Sequence, residues 1–180
     1  MAKLIPFGGR APRLDPSAFV APGAVLIGDI EVGPEASIWY NCVLRGDVNH
    51  IRIGARTNIQ DGSVLHVDSP RPGNPAGLPT LIGEDVLIGH MAMVHGCILH
   101  DRAFVGLGAI VMDGCEIEGG AMLAAGAMLT QGKRIPAGQL WAGRPAKYLR
   151  DLGEADLAGM ALGVAHYVAL AKLHAAAVSG

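Results

Sequence analysis

The chain has 180 residues, which is enough for one compact domain with an appended element. Lys and Arg total 14 against 16 Asp and Glu, so the formal net charge is −2, and we expect no basic surface for nucleic acid or an anionic membrane. The uncharged stretch 157–171 is too short for a bilayer span, so no membrane segment is expected. Residues 1–16 carry prolines and charges where a secretory signal needs an unbroken apolar run, which favours a cytoplasmic location.

An aliphatic residue recurs at every sixth position in the first 65 residues, with a phase shift at residues 46–52. The members of this block are Val20, Leu26, Val32, Ile38, Leu44, Ile53, Ile59 and Leu65. A period of six is neither that of a helix nor that of an ordinary amphipathic strand. It is typical of a β-helix, in which each six-residue unit forms one flat side of a triangular prism and turns its aliphatic side chain inward.

A second block with the same step begins after residue 79, with one residue dropped before Leu99. Its members are Ile82, Ile88, Val94, Leu99, Val105, Val111, Ile117, Leu123, Leu129 and Ile135. The 26 glycines suit the corners of the prism, and the aromatic content of 4% suits its narrow interior. The sequence therefore predicts an all-β solenoid, a parallel β-helix of hexapeptide repeats, over residues 1–150.

Two histidines follow inward residues at the same point of the repeat: His66 follows Leu65, and His95 follows Val94. The two histidines are 29 positions apart, 11 more than one 18-residue coil, and the proline-rich segment 69–79 (SPRPGNPAGLP) supplies those 11 as an extruded loop. We therefore expect both imidazoles on adjacent coils, pointing outward about 4.8 Å apart. Two imidazoles so placed can share a metal ion with a Zn–N distance of about 2.1 Å.

His90 lies five residues before His95, on the preceding side of the prism. Extended chain covers roughly 3.3 Å per residue, so we expect His90 not to reach the metal of its own chain. If three prisms pack about a threefold axis, His90 of one chain faces His66 and His95 of the next. The prediction is a homotrimer with three metal sites at its interfaces.

Three neutral imidazoles leave a fourth position open for water, as in a catalytic zinc site. The metal lowers the pKa of its water to about 7, so metal-bound hydroxide is available near neutrality to attack CO2 and yield bicarbonate. Iron or cobalt would also suit imidazole ligands.

Residues 151–180 lack the six-residue step and place Leu157, Met160, Val164 and Val168 at helical spacing. We expect a C-terminal helix that packs on the β-helix.

Three cysteines, Cys42, Cys97 and Cys115, match neither a disulfide framework nor a CxxC metal site. They are expected to be small buried apolar residues, and redox regulation through them stays an open question.

The segments LRGDVNHIRIGARTNIQDGSVLHV and IGHMAMVHGC resemble the γ-class carbonic anhydrases and their shorter bacterial homologues, over about residues 10 to 150. The resemblance implies a left-handed β-helix and the reversible, zinc-dependent hydration of CO2. It also implies site residues. His66, His90 and His95 would be the metal ligands, and Gln60 would hydrogen-bond the metal-bound hydroxide, with Asn58 and Asp61 beside it.

Three more residues follow from the same resemblance. Arg45 and Asp47 match a pair that helps to join subunits near the site, where the planar fork of Arg suits a carboxylate. Tyr167 matches a tyrosine on the C-terminal helix of the shorter homologues, and either closes the site or packs in the core.

Two other classes of function stay open. The chain would be a hexapeptide acyltransferase acting on CoA thioesters if His100 or His95 serves as a general base, or a thioesterase if a zinc hydroxide attacks the thioester. It would be a trimeric scaffold if the metal is purely structural. The stacked His66 and His95, and the lack of a Lys/Arg cluster for nucleotide phosphates, favour the metal enzyme.

Overall fold

The computed structural model describes residues 1–178, which form twenty strands and one helix. The strands are β1 (Lys3–Ile5), β2 (Arg13–Leu14), β3 (Phe19–Val20), β4 (Val25–Val32), β5 (Ser37–Ile38), β6 (Val43–Ile53), β7 (Asn58–Ile59), β8 (Val64–His66), β9 (Thr80–Ile82), β10 (Leu87–Ile88), β11 (Met93–His95), β12 (Ile98–Leu99), β13 (Phe104–Val105), β14 (Ile110–Val111), β15 (Glu116–Ile117), β16 (Met122–Leu123), β17 (Met128–Leu129), β18 (Arg134–Ile135), β19 (Gln139–Ala142) and β20 (Lys147–Asp151). The helix is α1 (Glu154–Val178).

The strands stack into the three faces of a prism. The first face runs β4–β6–β8–β11–β14–β17, the second runs β3–β5–β7–β10–β13–β16–β19, and the third runs β2–β4–β6–β9–β12–β15–β18. Strands β4 and β6 are long because each continues from the first face into the third. Among the described strands only β19 and β20 pair antiparallel. The predicted left-handed parallel β-helix with a C-terminal helix is confirmed.

The core is a column of aliphatic side chains along the prism axis. Every sixth-position residue from Leu26 to Ile135 is buried. The three cysteines are buried free thiols, as expected, and burial raises the pKa of Cys42 to about 11. Since the interior is filled by side chains, any binding site must lie on an outer face or a corner.

The segment between β8 and β9 projects from a corner of the prism. Asp68 pairs with Leu78 at its base, and the side-chain amide of Asn49 donates to the carbonyls of Asp68 at 3.2 Å and Ala76 at 2.8 Å. The loop is thus pinned beside the coil that carries His66.

Helix α1 packs on the second face, where it contacts β3, β5, β7 and β10. Met160, Val164 and Ala171 are buried in this contact, and Val168 is half-buried, but Leu157 remains 42% exposed. Leu157 faces the prism too, with its Cδ2 3.8 Å from where a Cβ at Gly120 would lie, but it lines an open cavity between α1 and the prism, which leaves it exposed.

The length of α1 bears on the expectation that the chain has no membrane segment, which stays a prediction. At 25 residues and a mean hydropathy of 1.4, the helix is long and apolar enough to cross a membrane by length and composition alone. The expectation rested on the uncharged stretch 157–171, whereas the helix continues past it in both directions through Asp156 and Lys172.

Candidate metal centre

His66 and His95 stand side by side on the first face. They are paired in register on β8 and β11, and their ring centroids are 4.9 Å apart. His66 Nδ1 lies 2.9 Å from His95 Nε2. The predicted stacking of these two histidines is therefore observed.

The outer nitrogens of both rings are held by carboxylates from neighbouring coils. His66 Nε2 is 3.0 Å from Asp47 Oδ1, and His95 Nδ1 is 2.5 Å from Asp113 Oδ1. An ionised carboxylate only accepts hydrogen bonds, so each of these nitrogens carries a hydrogen. The two inner nitrogens, which face each other, then carry lone pairs.

Two lone pairs 2.9 Å apart repel unless a cation lies between them. Two imidazole nitrogens on one tetrahedral zinc would be about 3.4 Å apart, which small ring movements supply. Burial, together with the charge of Arg45, lowers the pKa of His66 and favours the neutral imidazole that a metal needs. The pair therefore fits a divalent metal.

Arg45 and Asp47 lie against the histidine pair. Arg45 Nη1 donates to Asp47 Oδ2 at 2.6 Å, and its Nη2 is 3.4 Å from His66 Nδ1. Partial burial acts to raise the pKa of Asp47, but hydrogen bonds from Arg45 and His66 outweigh it, so the pKa is lowered. Asp47 thus stays ionised and accepts a hydrogen bond from His66, a predicted metal ligand. The resemblance did not specify this contact.

His90 belongs to a second cluster, at the corner between the second and first faces, which we call the His90 cluster: His90, Asp61 and Tyr167. His90 Nδ1 is 2.9 Å from Asp61 Oδ2, and His90 Nε2 is 3.3 Å from the Tyr167 hydroxyl. The side chain of His90 is 42% exposed, against 18% for His66. With Nδ1–H donated to Asp61, Nε2 carries the lone pair.

Tyr167 contacts both His90 and the aromatic cluster on the second face, so its core packing is observed. Its hydroxyl reaches His90, while its ring packs edge-on against Trp39 at 5.3 Å. Burial, and to a smaller extent the charge of Asp61, raises the pKa of Tyr167, so its hydroxyl is a hydrogen-bond donor near neutrality.

Gln60 and Asn58 form a buried amide pair on the second face, the face that α1 covers. Gln60 Nε2 donates to Asn58 Oδ1 at 3.1 Å. Asn58 Nδ2 is buried without a hydrogen-bond partner in residues 1–178. A buried unpaired donor is costly, so this amide is a place where water or a small polar ligand would be stabilised.

No group of three or more His, Cys, Asp or Glu within the described chain can by itself hold a metal ion. The predicted residues fall instead into two places: His66, His95, Arg45 and Asp47 in one, and the His90 cluster with the neighbouring Gln60 and Asn58 in the other. Asp113 was missed. It lies on the next coil, whose register pairs Val94 with Val111, so it stacks on Gly96, one position past His95, and a count from His95 alone points to Met112 instead.

Comparison with known proteins identifies the family. No family model matches the chain. A carbonic anhydrase from Geobacillus kaustophilus is 47% identical over 158 residues, which cover 87% of this chain and 82% of that protein. The chain belongs to the γ-class carbonic anhydrase family.

Other members of the γ-class carbonic anhydrase family are longer, and a solved relative is described differently. The mitochondrial gamma carbonic anhydrase 2 of Arabidopsis thaliana is 46% identical over 166 residues, 92% of this chain, but the chain spans only 59% of that protein's length. A solved structure from Bacillus cereus, described as a putative acetyltransferase, has a TM-score of 0.91 at 39% identity, covering 96% of both chains. This fold is thus shared by proteins that are named carbonic anhydrases and by one that is described as an acetyltransferase.

Proposed function

We propose that the protein is a metal-dependent carbonic anhydrase that hydrates CO2 reversibly to bicarbonate and a proton. The observation that carries this proposal is the pair of imidazole nitrogens, His66 Nδ1 and His95 Nε2, that face each other at 2.9 Å in a chain of this family. Zinc is the first candidate metal, and iron or cobalt would suit the same ligands.

We further propose that His66 and His95 of one chain and His90 of a neighbour hold the metal at each interface of a homotrimer. Support comes from an outer apolar stripe on the first face, between the two clusters. Its members, consecutive partners across the ladder, are Val25, Val43, Val64, Met93, Ile110 and Met128. Val64 is 37% and Met93 48% exposed, a continuous apolar surface that a second prism would cover.

In this arrangement we assign a role to each predicted site residue. When bound, a divalent metal supplies Lewis acidity and lowers the pKa of water to about 7. Asp47 and Asp61 orient His66 and His90, and Arg45 keeps Asp47 ionised. Gln60, fixed by Asn58, offers a buried amide to position the reactants, and α1 with Tyr167 covers this side of the site and limits entry of bulk water.

The interface site can be tested by complementation. His66→Ala and His90→Ala should each abolish CO2 hydration and metal binding in the homotrimer. Co-refolding the two variants in equal amounts should restore about a quarter of the sites. A site needs His66 from one subunit, which half of the subunits supply, and His90 from its neighbour, which again half of the subunits supply. Intact mixed trimers without any recovery would contradict the shared site.

An acyltransferase or thioesterase is the competing function, favoured by the description of the Bacillus cereus relative and by His100, whose Nε2 lies 2.6 Å from Glu116 Oε1 as in a general-base pair. Turnover of CoA thioesters that survives chelator treatment would favour it. A trimer that binds one metal per chain yet turns over neither CO2 nor thioesters would be the scaffold.

A further inference from the structure

Asp113 makes one side-chain hydrogen bond in the described part of the chain, and it goes to His95. The distance from Asp113 Oδ1 to His95 Nδ1 is 2.5 Å. Asp47, by comparison, divides its carboxylate between Arg45 and His66. The carboxylate of Asp113 therefore serves His95 alone.

The backbone between the two residues leaves room for this contact. Asp113 lies one coil after Gly96, the residue that follows His95, and a Cβ at Gly96 would lie 2.7 Å from Asp113 Oδ1. Gly96 also has a φ of 49°, in the left-handed region that favours glycine. Glycine at this corner thus permits both the turn and the close approach of the carboxylate.

Asp113 completes a pattern shared by all three predicted metal ligands. His66 is held by Asp47, His90 by Asp61 and His95 by Asp113, and in each ring the remaining nitrogen carries the lone pair. Metal-binding histidines commonly donate their other N–H to a carboxylate, which fixes the tautomer and the ring orientation. Of the other four histidines in residues 1–178, only His100 has a carboxylate ion-pair partner, Glu116.

We infer that Asp113 is a positioning residue of the metal site: it holds His95 in the Nδ1–H tautomer and aims the Nε2 lone pair at the metal shared with His66. This inference rests on the proposed function for the metal, but the effect on the tautomer does not require one. Without Asp113, the His95 ring is free to rotate and to exchange tautomers.

The test has two measurements on the full-length protein. In metal-free protein with 15N-labelled histidine, NMR should show His95 in the Nδ1–H tautomer, and Asp113→Ala should move it to a mixture of tautomers. Zinc affinity, measured by competition with a chromophoric chelator, should fall about 10- to 100-fold in Asp113→Ala. Asp113→Asn, whose amide oxygen still accepts from Nδ1–H, should keep the tautomer and lose less affinity.

Asp101→Ala is the matched control, because Asp101 also lies at a corner of the prism but accepts a backbone hydrogen bond from Glu84. It should leave both the His95 tautomer and the zinc affinity unchanged. Zinc affinity within threefold of wild type and an unchanged tautomer in Asp113→Ala would overturn the inference. A wild-type protein that binds no zinc would instead overturn the proposed function, so the two failures are distinct.

Discussion

Val64 and Met93 lie directly opposite each other on adjacent strands, and both side chains face away from the core at 37% and 48% exposure. Each precedes an inward residue, Leu65 or Val94, and the histidine of the pair follows that inward residue. The most exposed part of the outer apolar stripe is thus next to the predicted ligands.

This placement predicts that Met93→Glu dissociates the proposed trimer, because its interface would bury an unpaired charge. Size-exclusion chromatography with light scattering should show monomers, and metal content should fall with the trimer. Ile98→Glu is the control: Ile98 is 40% exposed but lies on the third face. Retention of the trimer by both variants would show that the first face is not the interface.

Tyr167→Phe should reduce kcat/KM for CO2 hydration by about fivefold, the factor expected from losing one hydrogen bond of about 1 kcal/mol. The phenylalanine keeps the packing on Trp39 and removes only the hydroxyl 3.3 Å from His90 Nε2. Tyr40→Phe is the matched control, since Tyr40 bonds His174 at 2.9 Å, outside the His90 cluster. Equal losses in the two variants would assign the effect to helix docking rather than to His90.

The start of α1 should be sensitive to acid. Hydrogen bonds from Arg150 and from the Gly153 backbone lower the pKa of Asp156 to about 2, from 3.8. Since the folded pKa is below the unfolded one, the stabilising contribution is complete above pH 3.8 and is lost as the pH falls towards 2.

Thermal melts followed by circular dichroism should therefore separate wild type from Asp156→Asn at pH 6, and the difference in Tm should vanish near pH 2. Glu154→Gln removes a charge from the same helical turn without an ion pair in the described structure. If the Tm difference between wild type and Glu154→Gln depends on pH as strongly as that of Asp156→Asn, the effect is one of helix charge in general and not of the Asp156 ion pair.

The repeat made much of the site predictable. A period of six and a coil of 18 place His66 on His95 by counting alone, because in a β-helix a position in the sequence fixes both the face and the height of a residue. From His95 the count leads to Met112, because one residue is dropped before Leu99, and Asp113 is the residue after it. The contact of Tyr167 with His90 is different: it depends on how α1 docks on the second face, and no repeat governs that.

The site residues Asp47, His66, His95 and Asp113 come from four successive coils, and the coils beyond Asp113 add no side chain to this cluster. Each coil contacts chiefly its neighbours, as in other solenoids. A whole 18-residue coil after residue 113 could therefore be gained or lost in evolution without altering this cluster, although it would move the start of α1 and with it Tyr167. A single-residue insertion between Thr80 and Asp113, beyond the extruded loop, would instead throw the cluster out of alignment. The four-residue cluster is thus independent of the number of coils that follow it.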